Sequence, residues 1–223
     1  MKRNKQLDIN NSKASDTPVF NLDTRSKILK AAIQIFSEIG YSAASLRQIT
    51  DRAEVNHGLV KYHYNNKEEL WRSSVKFLYA QLEDAFDLSN SQWEVLPIRD
   101  KIEYGMRTYI RFLAEHPELY RITMFETLHN SDRLDWLAEN VIIPYTHKAV
   151  LAMKEGVDNG IFTAKIPEVN LFYLLMSANR YIFFMSPEVS RVFGKDMTSE
   201  IEIKKHEDAV IELFLGHLDK VEK

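Results

Sequence analysis

The chain has 223 residues, of which 45% are hydrophobic and 27% charged, and its net charge is −3. This composition supports a folded core, and the length allows one or two domains. The absence of cysteine excludes disulfides, cysteine-ligated zinc and thiol nucleophiles, and it suits a reducing cytoplasm. The seven dispersed glycines form no phosphate-binding loop, the N-terminus is polar and unlike a signal peptide, and no apolar run reaches the ~20 residues of a membrane span.

The charge is unevenly distributed along the chain. Residues 24–77 carry nine basic and five acidic side chains, a net charge of +4, whereas the region after them is acidic. This asymmetry indicates a segment that binds a polyanion attached to a different functional region. A chance distribution of surface charge is the alternative.

The first predicted elements are a tail and a helix. Residues 1–23 show no apolar period and are predicted to form a flexible tail. Thr24 is a candidate N-cap for the first helix, whose apolar stripe begins at Ile28 and which ends near Gly40.

Two short helices follow. Ser45 and Gln48 form a capping-box signature that opens a helix over residues 46–53. Residues 54–56 interrupt it, and Asn56 is a candidate cap for a second helix that runs to about His63. A longer helix is predicted from Lys67 to about Leu88.

The remainder is predicted to be helical as well, with Pro144 breaking one element. The predicted helices span residues 98–114, 117–127, 132–159, 167–185 and 199–218.

The second short helix has the spacing of the recognition helix in a helix-turn-helix unit. His57 and Lys61 lie one turn apart beside Tyr62, while Val60 and Tyr64 fall on the opposite side. The outward side chains can donate to phosphates or base edges. Taken alone, they would equally suit an ordinary solvated surface.

The stretch from Thr24 to Leu70 resembles the TetR family of bacterial transcriptional regulators. The resemblance rests on Gly40-Tyr41, on Ser45-Leu-Arg-Gln-Ile-Thr50, on Val60-Lys-Tyr-His-Tyr64 and on Lys67-Glu-Glu-Leu70. It implies an all-α homodimer with an N-terminal three-helix DNA-binding domain over residues 24–78 and a larger helical domain over residues 79–223 for effector binding and dimerisation. It also implies that the recognition helices bind a near-palindromic operator and that a small ligand changes their spacing.

The resemblance and the helix geometry together predict a set of DNA-contacting residues: Ser45, Arg47, Asn56, His57, Gly58, Leu59, Lys61, Tyr62, His63 and Lys67. Within this set Tyr62 and His63 are predicted to contact phosphates, and His57, Leu59 and Lys61 to contact bases.

Two positions depart from the family pattern. Lys61 stands where many members carry an aromatic residue, which favours phosphate or guanine contacts. Glu54 stands where glycine is common; it either adopts a positive φ at a cost of ~1–2 kcal/mol or remains helical.

The larger domain is rich in methionine and aromatic residues, which could form either an ordinary core or a ligand pocket. The predicted effector-binding residues are Met106, Tyr109, Phe125, Tyr145, Met176, Asn179 and Arg180. Asn179 and Arg180 are a polar pair in an apolar helix, so they require a ligand, the second subunit or a buried ion pair, for instance between Arg180 and Glu126.

These observations predict a cytoplasmic, nucleoid-associated repressor that an apolar or amphipathic effector releases from its operator. The alternative is a DNA-binding regulator whose larger domain contacts other proteins and takes no small ligand. The sequence contains no catalytic signature and no His-Glu-x-x-His metal motif. We therefore expect no enzymatic activity, no metal and no cofactor, and we expect the partners to be double-stranded DNA, a second copy of the chain and the effector, with no membrane.

Overall fold

The computed structural model describes residues 19–86 and 95–218. The fold is all-α, as predicted, and the described residues include no β-strand. Four helices form an N-terminal unit, here called the head: α1 (Val19–Ala43), α2 (Leu46–Ala53), α3 (Gly58–Tyr64) and α4 (Lys67–Ala85).

The remaining helices form a second unit, here called the body: α5 (Ile98–Glu115), α6 (Pro117–His129), α7 (Asp132–Leu137), α8 (Ile143–Asp158), α9 (Glu168–Phe184), α10 (Ser186–Phe193) and α11 (Glu200–Leu215). None of the helices in the described residues combines the length and apolarity that crossing a bilayer requires.

The first helix begins earlier than predicted. It starts at Val19, so Thr24 lies inside the helix and the prediction that Thr24 caps it is wrong. The five residues from 19 to 23 that the prediction assigned to the tail are helical, and the rest of the predicted tail, residues 1–18, lies outside the described residues. The predicted break at Gly40 is confirmed, because Gly40 has φ 73° and ψ 168°, values that a residue with a Cβ rarely adopts.

The core of the head is apolar and closely packed. Ile28, Ile49, Val60 and Trp71, one from each of the four helices, are all fully buried. The period that predicted an apolar stripe on α1 therefore corresponds to the face that packs on α2 and α4.

The predicted break at Pro144 takes the form of a π-helical turn over Ala138–Ile142, between α7 and α8. Pro144 lacks the N–H that a regular α-helix would bond to the carbonyl four residues earlier. The N–H of Ile143 bonds instead to the carbonyl of Ala138, one residue further back, so the helix widens at this point. The short helix α10 was not predicted as a separate element.

The head and body meet where α6 packs against α1. The aromatic ring of Tyr41 lies between two cations, with Lys67 Nζ at 4.1 Å and Arg133 Cζ at 3.9 Å from its centroid. Phe125 packs directly against Gly40, where a Cβ would lie 2.9 Å from its Cδ1. This junction sets the orientation of the head relative to the body.

Candidate nucleic-acid interface and ligand cavity

Hydrogen bonds within the chain fix the start of α2. Ser45 Oγ accepts from the backbone N–H of Gln48 at 3.2 Å, and Gln48 Oε1 accepts from the backbone N–H of Ser45 at 2.8 Å. This reciprocal capping box is the one that the sequence predicts, and it satisfies two backbone donors at the helix terminus.

The turn between α2 and α3 takes the left-handed alternative at Glu54, which has φ 56° and ψ 43°. Helix α3 then begins at Gly58, slightly later than predicted. Asn56 still provides a local cap, because its Oδ1 accepts a hydrogen bond from the backbone N–H of Gly58 at 2.9 Å. The turn is therefore built from short-range hydrogen bonds and one strained backbone position.

Helix α3 exposes one face and buries the other. Val60 and Tyr64 are buried, and the hydroxyl of Tyr64 donates to the backbone carbonyl of Arg25 at 2.8 Å. Lys61 is exposed, and Tyr62 is 71% exposed. Asn56, His57 and Gly58 are exposed as well, so the predicted DNA-contacting residues of α3 and the preceding turn share one accessible surface.

His63 and Leu59 lie at the edge of this surface, where His63 is half-buried. The rings of Tyr62 and His63 pack edge to face with centroids 4.9 Å apart. Burial and the nearby Arg25 lower the pKa of His63, which favours a neutral imidazole with one N–H donor. His63 therefore packs against Tyr62 and is still partly accessible at the exposed surface of α3.

The remaining predicted contacts divide into two kinds. Ser45 and Arg47 lie toward the solvent, and Arg47 Nε lies 3.7 Å from Asp51, a distance typical of a weak surface ion pair. Lys67, in contrast, directs its Nζ inward, donating to the backbone carbonyls of Tyr41 at 2.9 Å and Ala44 at 2.8 Å. Its ammonium group thus satisfies two backbone carbonyls at the end of α1 and does not lie on the accessible face of α3.

A cavity of about 530 Å³, here called the body cavity, lies between α5, α8 and α9 of the body and the end of α4 of the head. Five of the seven predicted effector-binding residues line it: Met106, Tyr109, Tyr145, Met176 and Asn179. The lining is mostly apolar with a few polar groups, as is typical of small-molecule sites.

Phe125 and Arg180 do not line this cavity. Phe125 packs against Gly40 at the junction with the head. Arg180 lies behind the cavity wall, with its Cζ 4.6 Å from the centroid of the Tyr120 ring.

The suggested ion pair between Arg180 and Glu126 does not form, so that prediction is wrong. Glu126 Oε2 lies 3.0 Å from Arg133 Nε and also accepts from the hydroxyl of Ser131. Arg133 follows Glu126 after a short turn, so it reaches this carboxylate from the adjacent helix α7 and occupies it.

Comparison with known proteins identifies the family. The family described as "Bacterial regulatory proteins, tetR family" matches residues 28–73. A second description, "Tetracyclin repressor-like, C-terminal domain", matches residues 99–213, which is more than half of the chain. The chain belongs to the TetR family.

The relatives of this TetR-family chain are regulators. It is 26% identical over 178 residues to the HTH-type transcriptional repressor SCO4008 of Streptomyces coelicolor, covering 76% of this chain and 82% of the relative. It is 31% identical over 111 residues to the HTH-type transcriptional repressor NicS of Pseudomonas putida, covering 48% of this chain and 49% of the relative. A solved structure titled as a putative fatty acid metabolism regulator of Clostridium perfringens has the same fold, with a TM-score of 0.65 at 20% identity over 84% of this chain and 96% of that one. The chain is a DNA-binding transcriptional regulator and not an enzyme.

Sequence reasoning missed part of the cavity wall of this TetR-family protein. Helix α8 contributes Ala149, Ala152 and Met153 in addition to Tyr145. Their spacing of three and four residues places them on one face of the helix. The periodicity of α8 therefore indicated in the sequence that these residues line the same surface as Tyr145. Small alanines in that stripe leave the space that larger side chains would have filled.

The three C-terminal helices of the TetR-family body expose large apolar side chains: Val169, Tyr173, Leu174, Tyr181, Val192, Phe193, Ile201 and Leu213 are each more than half exposed. An apolar surface of this extent is typical of a protein–protein interface.

Proposed function

We propose that the protein is a homodimeric repressor that binds a near-palindromic operator and is released from it by a small effector in the body cavity. The observation that carries the DNA-binding part is the two-sided character of α3. Val60 and Tyr64 anchor the helix in the head, and Lys61 and Tyr62 face outward. A recognition helix requires a rigid inner face and accessible donors on its outer face.

The exposed residues divide by chemistry. Lys61 and His57 have donors for base edges, and Leu59 has an apolar tip for a thymine methyl group. Tyr62 and His63 donate to phosphates at the edge of the surface, and Arg47 adds charge at α2. Because Lys67 is bonded to the carbonyls of Tyr41 and Ala44, we assign it to positioning α1 against α4 and not to a direct phosphate contact.

The dimer is supported by the exposed apolar surface of the body. Tyr173, Leu174 and Tyr181 on α9 and Leu213 on α11 are more than half exposed in the single chain. Pairing these two helices with their copies would bury the side chains in a four-helix interface. It would also relate the two α3 helices by a two-fold axis, as an inverted repeat requires.

The cavity favours an effector over a body that only contacts proteins. A body without a small ligand would be expected to pack to native density, whereas this one retains about 530 Å³ bordered by Asn179 and two tyrosines. We assign effector binding and dimerisation to residues 79–223 and DNA binding to residues 24–78, with the head extended back to Val19.

The test selects fragmented genomic DNA on the purified full-length protein at near-physiological salt, where non-specific phosphate binding is weak. We expect enrichment of one inverted repeat. Lys61→Ala should weaken binding to it by about 1–3 kcal/mol and relax the preference at one or two base positions. Tyr62→Phe should weaken all sites to a similar degree, because a phosphate contact carries no sequence information.

Lys76→Ala is the matched control. It removes the same charge from the head, but Lys76 lies on α4 with its Nζ 5.6 Å from the ring centroid of Trp136 in the body. We expect it to leave the enriched repeat and its affinity unchanged. Sequence-independent binding that Lys61→Ala and Tyr62→Phe leave intact would contradict the proposed function.

A further inference from the structure

The inner end of the body cavity has an unsatisfied polar group. Asn179 is 1% exposed, borders the cavity, and its Oδ1 has no hydrogen-bond partner among the described residues. A buried amide oxygen without a partner destabilises the folded state, so the Asn179 carboxamide in the apolar helix α9 has hydrogen-bonding capacity for a polar group from outside the chain.

A cation lies directly behind this end of the cavity. Arg180 lies beside Tyr109, which lines the cavity, and its guanidinium lies over the ring of Tyr120. Its Nε is buried without a partner in the part of the chain that the structure describes. No carboxylate in residues 19–86 or 95–218 forms an ion pair with it, since Glu126 is occupied by Arg133.

The tyrosines around Arg180 cannot serve as its counterion. Burial raises the pKa of Tyr79, Tyr109 and Tyr145 above the usual range, so their hydroxyls stay protonated. Arg180 acts against this increase at Tyr79 and Tyr109. Tyr109 therefore keeps its O–H, which it can donate to a ligand in the cavity, and the nearby cation of Arg180 strengthens this donor.

The charged side chains at the mouth of the cavity include both signs, unlike the single cation behind its inner end. Lys148 Nζ is paired with Glu83 Oε1 at 2.8 Å, and its side chain is 71% exposed. Lys101 and Glu155 add one charge of each sign at the rim. Lys148 and Glu155 are exposed and Lys101 is half-buried; balanced charges that reach solvent select weakly between ligands, because solvent screens them.

We propose that the effector is an amphipathic carboxylic acid that binds with its carboxylate at the inner end of the cavity. The carboxylate accepts from the Tyr109 hydroxyl and balances the charge of Arg180. The Asn179 carboxamide exchanges its two ends, so that Nδ2–H and not the acceptor Oδ1 faces the carboxylate. The apolar part lies along Met106, Leu175 and Met176. This inference rests on the proposed function, which assigns the effector to this cavity.

The test compares acids with neutral amides of the same skeleton: decanoate with decanamide, and naphthylacetate with naphthylacetamide. Binding to the full-length protein is measured by calorimetry and by displacement of Nile red, which is uncharged. We expect each acid to bind at least about tenfold more tightly than its amide, the effect of a hydrogen-bonded charge in a buried site. Each acid should also reduce operator binding.

Arg180→Met keeps the length of the side chain and removes its charge. It should abolish the preference for acids and leave the amide affinities within about twofold, since the amides make no charged contact. Lys148→Met is the matched control, because it removes a charge from the rim of the same cavity, and it should preserve the preference. Tyr109→Phe keeps Arg180 and should weaken the acids more than the amides, which provides a second variant if Arg180→Met does not fold.

Two results would overturn the inference: amides that bind as tightly as acids to the unmodified protein, or a preference that Lys148→Met removes and Arg180→Met does not. Ala149→Phe, which fills the cavity, separates this failure from failure of the proposed function. If amides bind, release operator DNA and are blocked by Ala149→Phe, only the ligand class is wrong. If the acids, the amides and Nile red all fail to bind, or bind equally well to Ala149→Phe, then none of them occupies the cavity. In that case the proposed effector mechanism fails together with the inference.

Discussion

The head and the body are both built from amphipathic helices, but they differ in how completely their interiors are filled. In the head, Ile28, Ile49 and Trp71 are fully buried, and side chains cap α2 and α4. In the body, a cavity of about 530 Å³ remains, and Asn179 borders it with a buried Oδ1 that lacks a partner among the described residues; Trp71 Nε1 in the head also lacks one, but Trp71 does not border this cavity. A DNA-binding surface has to keep one shape, whereas a unit that responds to a ligand has to retain space and polar groups for it.

The largest expected difference between the two units concerns truncation of apolar side chains. Ile49→Ala should lower the free energy of unfolding by about 2–5 kcal/mol, because Ile49 is fully buried on the inner face of α2 and a cavity would remain. Met176→Ala should cost much less, since Met176 is half-buried and already borders an open cavity. Urea unfolding of both variants measures this, and similar losses would contradict the contrast in packing.

The junction between the units is tested at Gly40. Gly40→Ala should destabilise the protein by about 1–3 kcal/mol from the backbone alone, because its φ and ψ suit only glycine. The new Cβ would also displace Phe125, 2.9 Å away.

Gly160→Ala is the comparison for this variant. Gly160 has φ 74°, and a Cβ added there would meet no atom of the described residues within 4 Å, so only the backbone cost applies. We therefore expect a larger loss in urea unfolding for Gly40→Ala than for Gly160→Ala, because only the first variant displaces a packed side chain. Equal losses would contradict the expectation that the Cβ at residue 40 clashes with Phe125.

The smallest effect is expected in the turn of the head. Glu54→Gly should raise the free energy of unfolding by about 1 kcal/mol, because it removes the left-handed strain at φ 56°. Glu54→Ala removes the same charge and keeps the Cβ, so it should give no such increase. A gain for both variants in thermal or urea unfolding would assign the effect to charge and not to backbone strain.

The features that were predicted correctly depend on residues close together in sequence. The capping box of Ser45 and Gln48 and the break at Gly40 each involve only a few neighbouring positions. The cap predicted at Thr24 failed because α1 continues back to Val19, and a polar residue can cap a helix only where the helix begins.

The partners of long polar side chains were the features that sequence reasoning could not assign. Lys67 was predicted to contact DNA, which stays a prediction; in the structure its Nζ bonds to carbonyls more than twenty positions earlier in the chain, contacts that the sequence did not indicate. Arg180 was expected to pair with Glu126, which Arg133 occupies instead. Long flexible side chains can reach several sites, so their partners depend on how helices that are distant in sequence pack together.

The sequence by itself determined the helical class, the helix-turn-helix, the family resemblance and most helix ends, because periodicity and capping act within one or two helical turns. The tertiary structure alone decided which methionine and aromatic residues border a cavity and which fill the core. It also placed Phe125 at the junction and Arg180 behind the cavity wall. The reason is that the space between helices depends on the packing of several distant segments, and no local pattern records it.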